Sequence, residues 1–257
     1  MLPSVLHGLS AMLAQRLIQI FPALENKWHD HFMDPYRTRQ DMMHDGCVAQ
    51  SACNIWMGHS WGFHQLWQKP EDYRRQVTAA VSINGFMYLP QETAEPASLS
   101  QSNVMSMLRA MQIDPEKTLQ RFYKAAGLSK TERTRHLAYF LQPALIDLLQ
   151  QELMTMATSC VHDPDQTTNP VLPFPIPVLA LAATGDKIVT RQITEQSFAA
   201  TPKNPLHQGL HQSLYQSRNN ARACTQLYYA DTTSHCLPLT HPEWCAMQMV
   251  RWLSACL

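Results

Sequence analysis

Glycine is scarce in this chain, with eight in 257 residues, yet two of the eight fall in one pentapeptide, Gly58–His59–Ser60–Trp61–Gly62. Charge of one sign is not in excess either. Lys+Arg and Asp+Glu number 20 each, so the formal net charge is zero. No global field draws the chain to nucleic acid or to an anionic membrane, and a charged partner has to be met by a local patch. No two of the seven cysteines (Cys47, Cys53, Cys160, Cys224, Cys236, Cys245, Cys256) form C-x-x-C, which removes a zinc knuckle and a dithiol redox motif. A signal-peptide pattern is lacking, so the expectation is a cytoplasmic protein with reduced thiols. No apolar run approaches the roughly 20 residues of a membrane span. His29, His31 and His44 lack the spacing of zinc ligands, so no metal is expected, and no cofactor. What is present is a 45% hydrophobic composition, enough for a substantial core and not that of a disordered chain. The length fits one α/β domain or two small ones.

The pentapeptide reads G-x-S-x-G, the pattern of a sharp strand-to-helix turn that holds a serine hydroxyl at the top of a sheet. Close packing around such a turn leaves little room at Gly58 and Gly62, and the serine itself takes a strained conformation. A loop serine between two glycines is the plainer reading. The context favours the turn, because Cys53–Met57 reads as a feeding strand and Phe63–Trp67 can continue as a helix.

Further along, Val77–Ile83 is a buried strand ending at Asn84–Gly85. Strand and helix alternating at this spacing predict a parallel sheet with crossover helices. From Pro90 to about Pro170 strand signals stop, and helices are predicted over Val104–Met111, Pro115–Ala126, Lys130–Phe140 and Pro143–Met156. A helical block inserted into an α/β sheet is how a cap appears in sequence. The expected organisation is a core of residues 1–89 and 171–257 with a cap over 90–170. The alternating prolines at 173, 175 and 177 mark re-entry as extended chain. Val178–Ala183 is the next strand, Arg191–Phe198 a helix, and Thr225–Ala230 the last strand. Pro242–Cys256 is a closing helix with Trp244, Met247, Val250 and Leu253 on one face. Residues 201–222 are polar and read as a long surface excursion.

Near the N-terminus two readings stay open. Leu2–Leu6 can be a short strand, with His7–Gly8 beginning a loop before a helix from Ser10; or one amphipathic helix runs from Pro3 onward. The first reading places a loop where hydrolases with this turn carry an oxyanion donor, most simply the N–H of Leu9. It also implies that the strands usually preceding that loop are reduced or absent.

A serine hydroxyl needs a base within hydrogen-bond reach, and the base needs a third group to fix its tautomer. In serine hydrolases with this turn the chain order is Ser, acid, His. Asp186 follows the strand Val178–Ala183 directly, and His235 lies just past Thr225–Ala230. Among rivals, His241 stands before Pro242 at the start of the closing helix, and His207 and His211 lie in the polar excursion. Asp231 is too near His235, and Asp163 and Asp165 precede their strand. The expected catalytic set is Ser60, Asp186 and His235. The backbone N–H groups of Trp61 and Leu9 form the expected oxyanion hole.

Taken with Gly185–Asp186 and Ser234–His235, the string Leu237–Pro238–Leu239–Thr240–His241–Pro242 resembles the end of the biotin-pathway esterases that demethylate pimeloyl-acyl carrier protein methyl ester. Ser82–Ile83–Asn84–Gly85 and Arg121–Phe122–Tyr123–Lys124 are further local matches. The resemblance runs from about residue 53 to the end. It implies an α/β-hydrolase fold with a helical cap, hydrolysis of a carboxylic ester through an acyl-enzyme on Ser60, and an acyl carrier protein partner. In that family basic cap residues meet the carrier, which here points to Lys117, Arg121 and Lys124, one stripe of a helix. An ordinary solvated face is the plainer account of that stripe. His59 and Trp61 depart from the family's residues around the serine. A small-ester or thioester hydrolase without a carrier, and a non-catalytic relative, are the other readings.

Overall fold

The structure is a computed structural model that describes residues 54–87, 89–90, 93, 98–159, 176–198 and 225–256. The expectations for Leu9, for the first strand and loop, and for residues 201–222 lie outside these.

Four parallel strands form one sheet: β1 (Ile55–His59), β2 (Ala79–Ile83), β3 (Val178–Ala183) and β4 (Thr225–Ala230), side by side in that order. Every residue of β2 and β3 is buried, as expected of central parallel strands covered on both faces and rich in Ala, Val, Leu and Ile. The strand feeding the turn runs to His59 rather than stopping at Met57, so the chain goes from strand to Ser60 with no intervening residue. The helix after the turn is short. It comprises α1 (Trp61–His64) and a 3-10 turn, Gln65–Gln68, which stops before Pro70. A further helix, α2 (Glu71–Gln76), leads into β2.

Between β2 and β3 lie α3 (Gln101–Ile113), α4 (Pro115–Ala125), α5 (Lys130–Phe140) and α6 (Pro143–Ser159). Their boundaries follow from local chemistry. Ser100 accepts the Asn103 N–H and Asp114 accepts the Lys117 N–H, with Pro115 in the first turn of α4 where its missing N–H costs nothing. Ser129 and Glu132 form a reciprocal capping box at α5. α4 is capped by Ala126 and followed by Gly127, whose φ of 82° is the left-handed conformation that closes a helix. These helices share an apolar cluster that includes Leu108, Met111, Leu119, Tyr123, Phe140 and Leu153. It extends to Phe86 after β2 and to Ile188 and Val189 after β3. The helical block therefore packs on the segments that leave the C-terminal ends of the strands.

After β3 comes α7 (Arg191–Phe198), and after β4 come α8 (Leu237–Thr240) and α9 (Pro242–Cys256). Of the expected apolar face of α9, Leu253 is buried against the sheet and Trp244 and Val250 pack partly buried beside it, whereas Met247 is 42% exposed. Cys245, Ala246, Met249 and Trp252 complete the buried face, in one cluster with residues of β2, β3 and β4. Among the described residues no helix is long and apolar enough to cross a membrane, and no group of three His, Cys, Asp or Glu side chains is placed to hold a metal.

Candidate functional site

Ser60 sits at φ 54° and ψ −128°, outside the regions that an L-residue favours. Three features hold it there. Its N–H donates to Ile83 O at 2.9 Å, and its carbonyl accepts the Phe63 N–H at 3.1 Å. Gly58 lets the helix start cross the strand: a Cβ at Gly58 would collide with the backbone N and Cα of Phe63. The glycine therefore serves close approach, as the sequence pattern implied.

The structure brings Ser60, His235 and Asp186 together. His235 Nε2 lies 3.0 Å from Ser60 Oγ, and His235 Nδ1 lies 2.7 Å from Asp186 Oδ2. A carboxylate only accepts, so Nδ1 carries the proton and the Nε2 lone pair faces the serine hydroxyl. Asp186 and His235 are 5% and 2% exposed, whereas Ser60 is partly exposed. A reactant can thus reach the hydroxyl while water is kept from the other two groups.

Asp186 is held on both oxygens. Oδ1 accepts the N–H groups of Ile188 (2.8 Å) and Val189 (3.1 Å), and Oδ2 accepts the Asn84 amide at 2.7 Å as well as His235. The same Asn84 Nδ2 donates to Ser234 O at 3.1 Å. The His235 loop is fixed from two further directions. Its N–H donates to Ala126 O at the end of α4 (3.1 Å), and its carbonyl accepts His59 Nε2 at 2.7 Å. Burial, reinforced by the neighbouring His235, lowers the His59 pKa to about 3, so its ring is neutral at ordinary pH with the proton on Nε2. Burial likewise lowers His64 to about 4, and its Nδ1 donates to Met87 O. The Cys236 thiol is pushed up to about 12 by burial and the nearby Asp186, so it stays protonated and is no rival nucleophile.

Trp61 opens α1, and its backbone N–H has no partner among the described residues. Its indole stacks on His64 at 4.8 Å and donates to Glu152 Oε2 on α6 at 2.8 Å, an oxygen that Gln65 also reaches at 3.2 Å. The residue after the serine is thus tied to the helical block. Lys117, Arg121 and Lys124 are exposed on α4, away from the buried Thr118, Leu119 and Tyr123.

Sequence reasoning did not assign Asn84, His59 or Glu152 to the site. A signal existed for Asn84: an Asn-Gly pair ending a fully buried strand marks a positive φ, and Asn84 has φ 45°. Glu152 and Trp61 are 91 positions apart, and nothing local announces their bond.

No protein-family model matches the chain, and no curated protein matches it in sequence. Solved structures do resemble it. An esterase from Exiguobacterium antarcticum has 12% identity over 79% of this chain and 68% of that one, with a TM-score of 0.53. A thermophilic esterase has 16% identity over 80% and 68%, with a TM-score of 0.54. A bromoperoxidase from Bacillus anthracis has 16% identity over 78% and 67%, with a TM-score of 0.50. The parallel sheet, its flanking helices and these likenesses are those of the α/β-hydrolase fold.

Proposed function

We propose that the protein is a serine carboxylesterase. The observation that carries this reading is the unbroken chain Ser60 Oγ, His235 Nε2, His235 Nδ1, Asp186 Oδ2, with contacts of 3.0 and 2.7 Å, on a serine in a strained turn. Ser60 Oγ attacks the ester carbonyl while His235 takes its proton. Asp186 stabilises the imidazolium, and the backbone N–H of Trp61 meets the developing oxyanion. His235 then returns the proton to the leaving alcohol, and water hydrolyses the acyl-enzyme by the same route. A fluorophosphonate probe should label Ser60, and Ser60→Ala should abolish both labelling and hydrolysis of p-nitrophenyl acetate. A folded wild-type protein that neither labels nor turns over would sink the reading.

For the substrate, the reading is a methyl ester on a carrier-bound pimeloyl chain. Support comes from the resemblance carried by Leu237–Pro242 and from where the basic stripe lies. Lys117, Arg121 and Lys124 are exposed on α4, and the end of α4 touches the base loop through Ala126 O and the His235 N–H. An acidic carrier docked on α4 would deliver its acyl arm beside the serine. Such charges act on encounter more than on chemistry. Arg121→Glu with Lys124→Glu should therefore raise KM for a carrier-bound ester about 10-fold or more and leave a small free ester within about twofold. Equal effects on both substrates would leave a small-ester hydrolase without a carrier partner.

A further inference from the structure

We propose that Asn84 is a positioning residue for this site, acting through its side-chain NH2 group to lock the acid loop to the base loop. The inference rests on the esterase reading. Asn84 directly follows β2, which lies between the strand that delivers Ser60 and the strand that delivers Asp186. It is 1% exposed, its φ is 45°, and its backbone N–H donates to Leu181 O on β3 at 2.7 Å. The preceding residue, Ile83, accepts the Ser60 N–H. The end of β2 therefore touches all three loops that carry the catalytic set.

The chemistry of the amide fixes its orientation. Both groups it faces, Asp186 Oδ2 and Ser234 O, are acceptors, so only the NH2 side can point at them. The price is visible on the other side, where Asn84 Oδ1 is buried and accepts from no group among the described residues. A buried, unsatisfied amide oxygen at a left-handed position is costly, which argues that the two donated bonds are what the position serves. Those bonds bridge residues 102 and 150 positions away. One of them falls on the oxygen that His235 uses, so it opposes rotation of the carboxylate and helps keep Oδ2 in line with Nδ1. The other holds Ser234, immediately before the base.

Glycine accepts φ 45° without strain, whereas alanine does not. Asn84→Gly therefore removes the amide without adding backbone strain, and Asn84→Ala removes the amide and adds it. A positioning role predicts that both variants lose kcat on p-nitrophenyl acetate about 10- to 100-fold, the range for one charge-assisted hydrogen bond, with KM within about twofold. The thermal midpoint should be lower for the Ala variant than for the Gly variant. The role is overturned if Asn84→Gly keeps wild-type kcat and only Asn84→Ala is impaired, since the residue would then serve the backbone alone. The His235 Nδ1 proton, observed by NMR, supplies a reading that needs no turnover. It should shift or broaden in Asn84→Gly, and an unchanged resonance overturns the clamp. A wild-type protein that is not labelled by fluorophosphonate removes the esterase reading instead, and the proton resonance still judges the clamp separately.

Discussion

Asp186→Asn is the substitution that most sharply tests the site, because the surroundings dictate how the new side chain must sit. In the wild-type protein Oδ1 faces two backbone donors, the N–H groups of Ile188 and Val189. An asparagine has to keep its oxygen there, which turns its NH2 group toward His235 Nδ1 and Asn84 Nδ2. Two consequences follow. Nδ1 can satisfy that NH2 only as an acceptor, so the imidazole proton moves to Nε2 and opposes the Ser60 hydroxyl instead of receiving its proton. In addition, the new NH2 meets the Asn84 NH2 across a 2.7 Å gap, donor against donor, in a buried place. The wrong tautomer should cost about 10⁴-fold in kcat, about 5.5 kcal/mol of transition-state stabilisation. The mismatched donors should cost about 1–3 kcal/mol of stability, a fall in the thermal midpoint of roughly 2–12 °C for a chain of this size. Hydrolysis of p-nitrophenyl acetate measures the first and a melting curve the second. A variant that keeps a tenth of wild-type kcat would show that Asp186 does not set the tautomer, and the reasoning from its four hydrogen bonds would fail.

Two further predictions concern side chains that flank the serine. His59 has a folded pKa of about 3 against 6.5 in the unfolded chain, so below pH 6.5 the unfolded state binds the extra proton and stability falls with pH, down to about 3. His59→Gln keeps a donor for His235 O but does not titrate, so it should lose about 2–3 kcal/mol less than wild type between pH 6.5 and 4.5, by chemical denaturation; parallel losses would refute the assignment. Glu152→Ala removes the acceptor of the Trp61 indole and should lower kcat/KM on small esters several-fold, about 1 kcal/mol, with Glu152→Gln restoring most of it because its amide oxygen still accepts. If Gln is as poor as Ala, the charge and not the bond is what matters.

The parts that could be read from sequence were those written in local chemistry. α4 is bracketed by Asp114–Pro115 and Gly127, and its bounds follow. β3 begins and ends where its apolar run does, and β4 and α9 have the bounds expected of them. The turn at Ser60 was legible because close packing admits only glycine at residue 58. Phase was harder. On α9 the apolar residues are numerous enough to fit more than one stripe, and only packing against the sheet selects Met249 and Trp252 over Met247. The supporting shell was not legible, because its bonds join distant segments. Asn84 reads as turn punctuation until Asp186 and Ser234 are placed beside it, and Glu152 reads as a polar helix residue until Trp61 is found against it.

The lengths of the loops at the top of the sheet have a geometric cause. Parallel neighbours lie about 4.8 Å apart, so β1 and β3 are separated by roughly 10 Å and β1 and β4 by roughly 14 Å. Ser60 can follow its strand at once, because the other groups come to it. Asn84 also follows its strand at once, since it stands between the two strands it links. Asp186 comes three residues after Ala183 and turns on the Ala183 O to Asp186 N–H contact. His235 starts from the far strand and has to return across the sheet, which takes the four residues 231–234. A loop that long is not rigid by itself. It is held because Ser234 O accepts Asn84, His235 O accepts His59, and the His235 N–H reaches Ala126 on the helical block. Each of these contacts comes from a different segment, after β2, at the end of β1 and at the end of α4. Precision at the base thus depends on the sheet and the inserted helices together, and a change in how α4 sits would be felt at His235 before it was felt at Ser60.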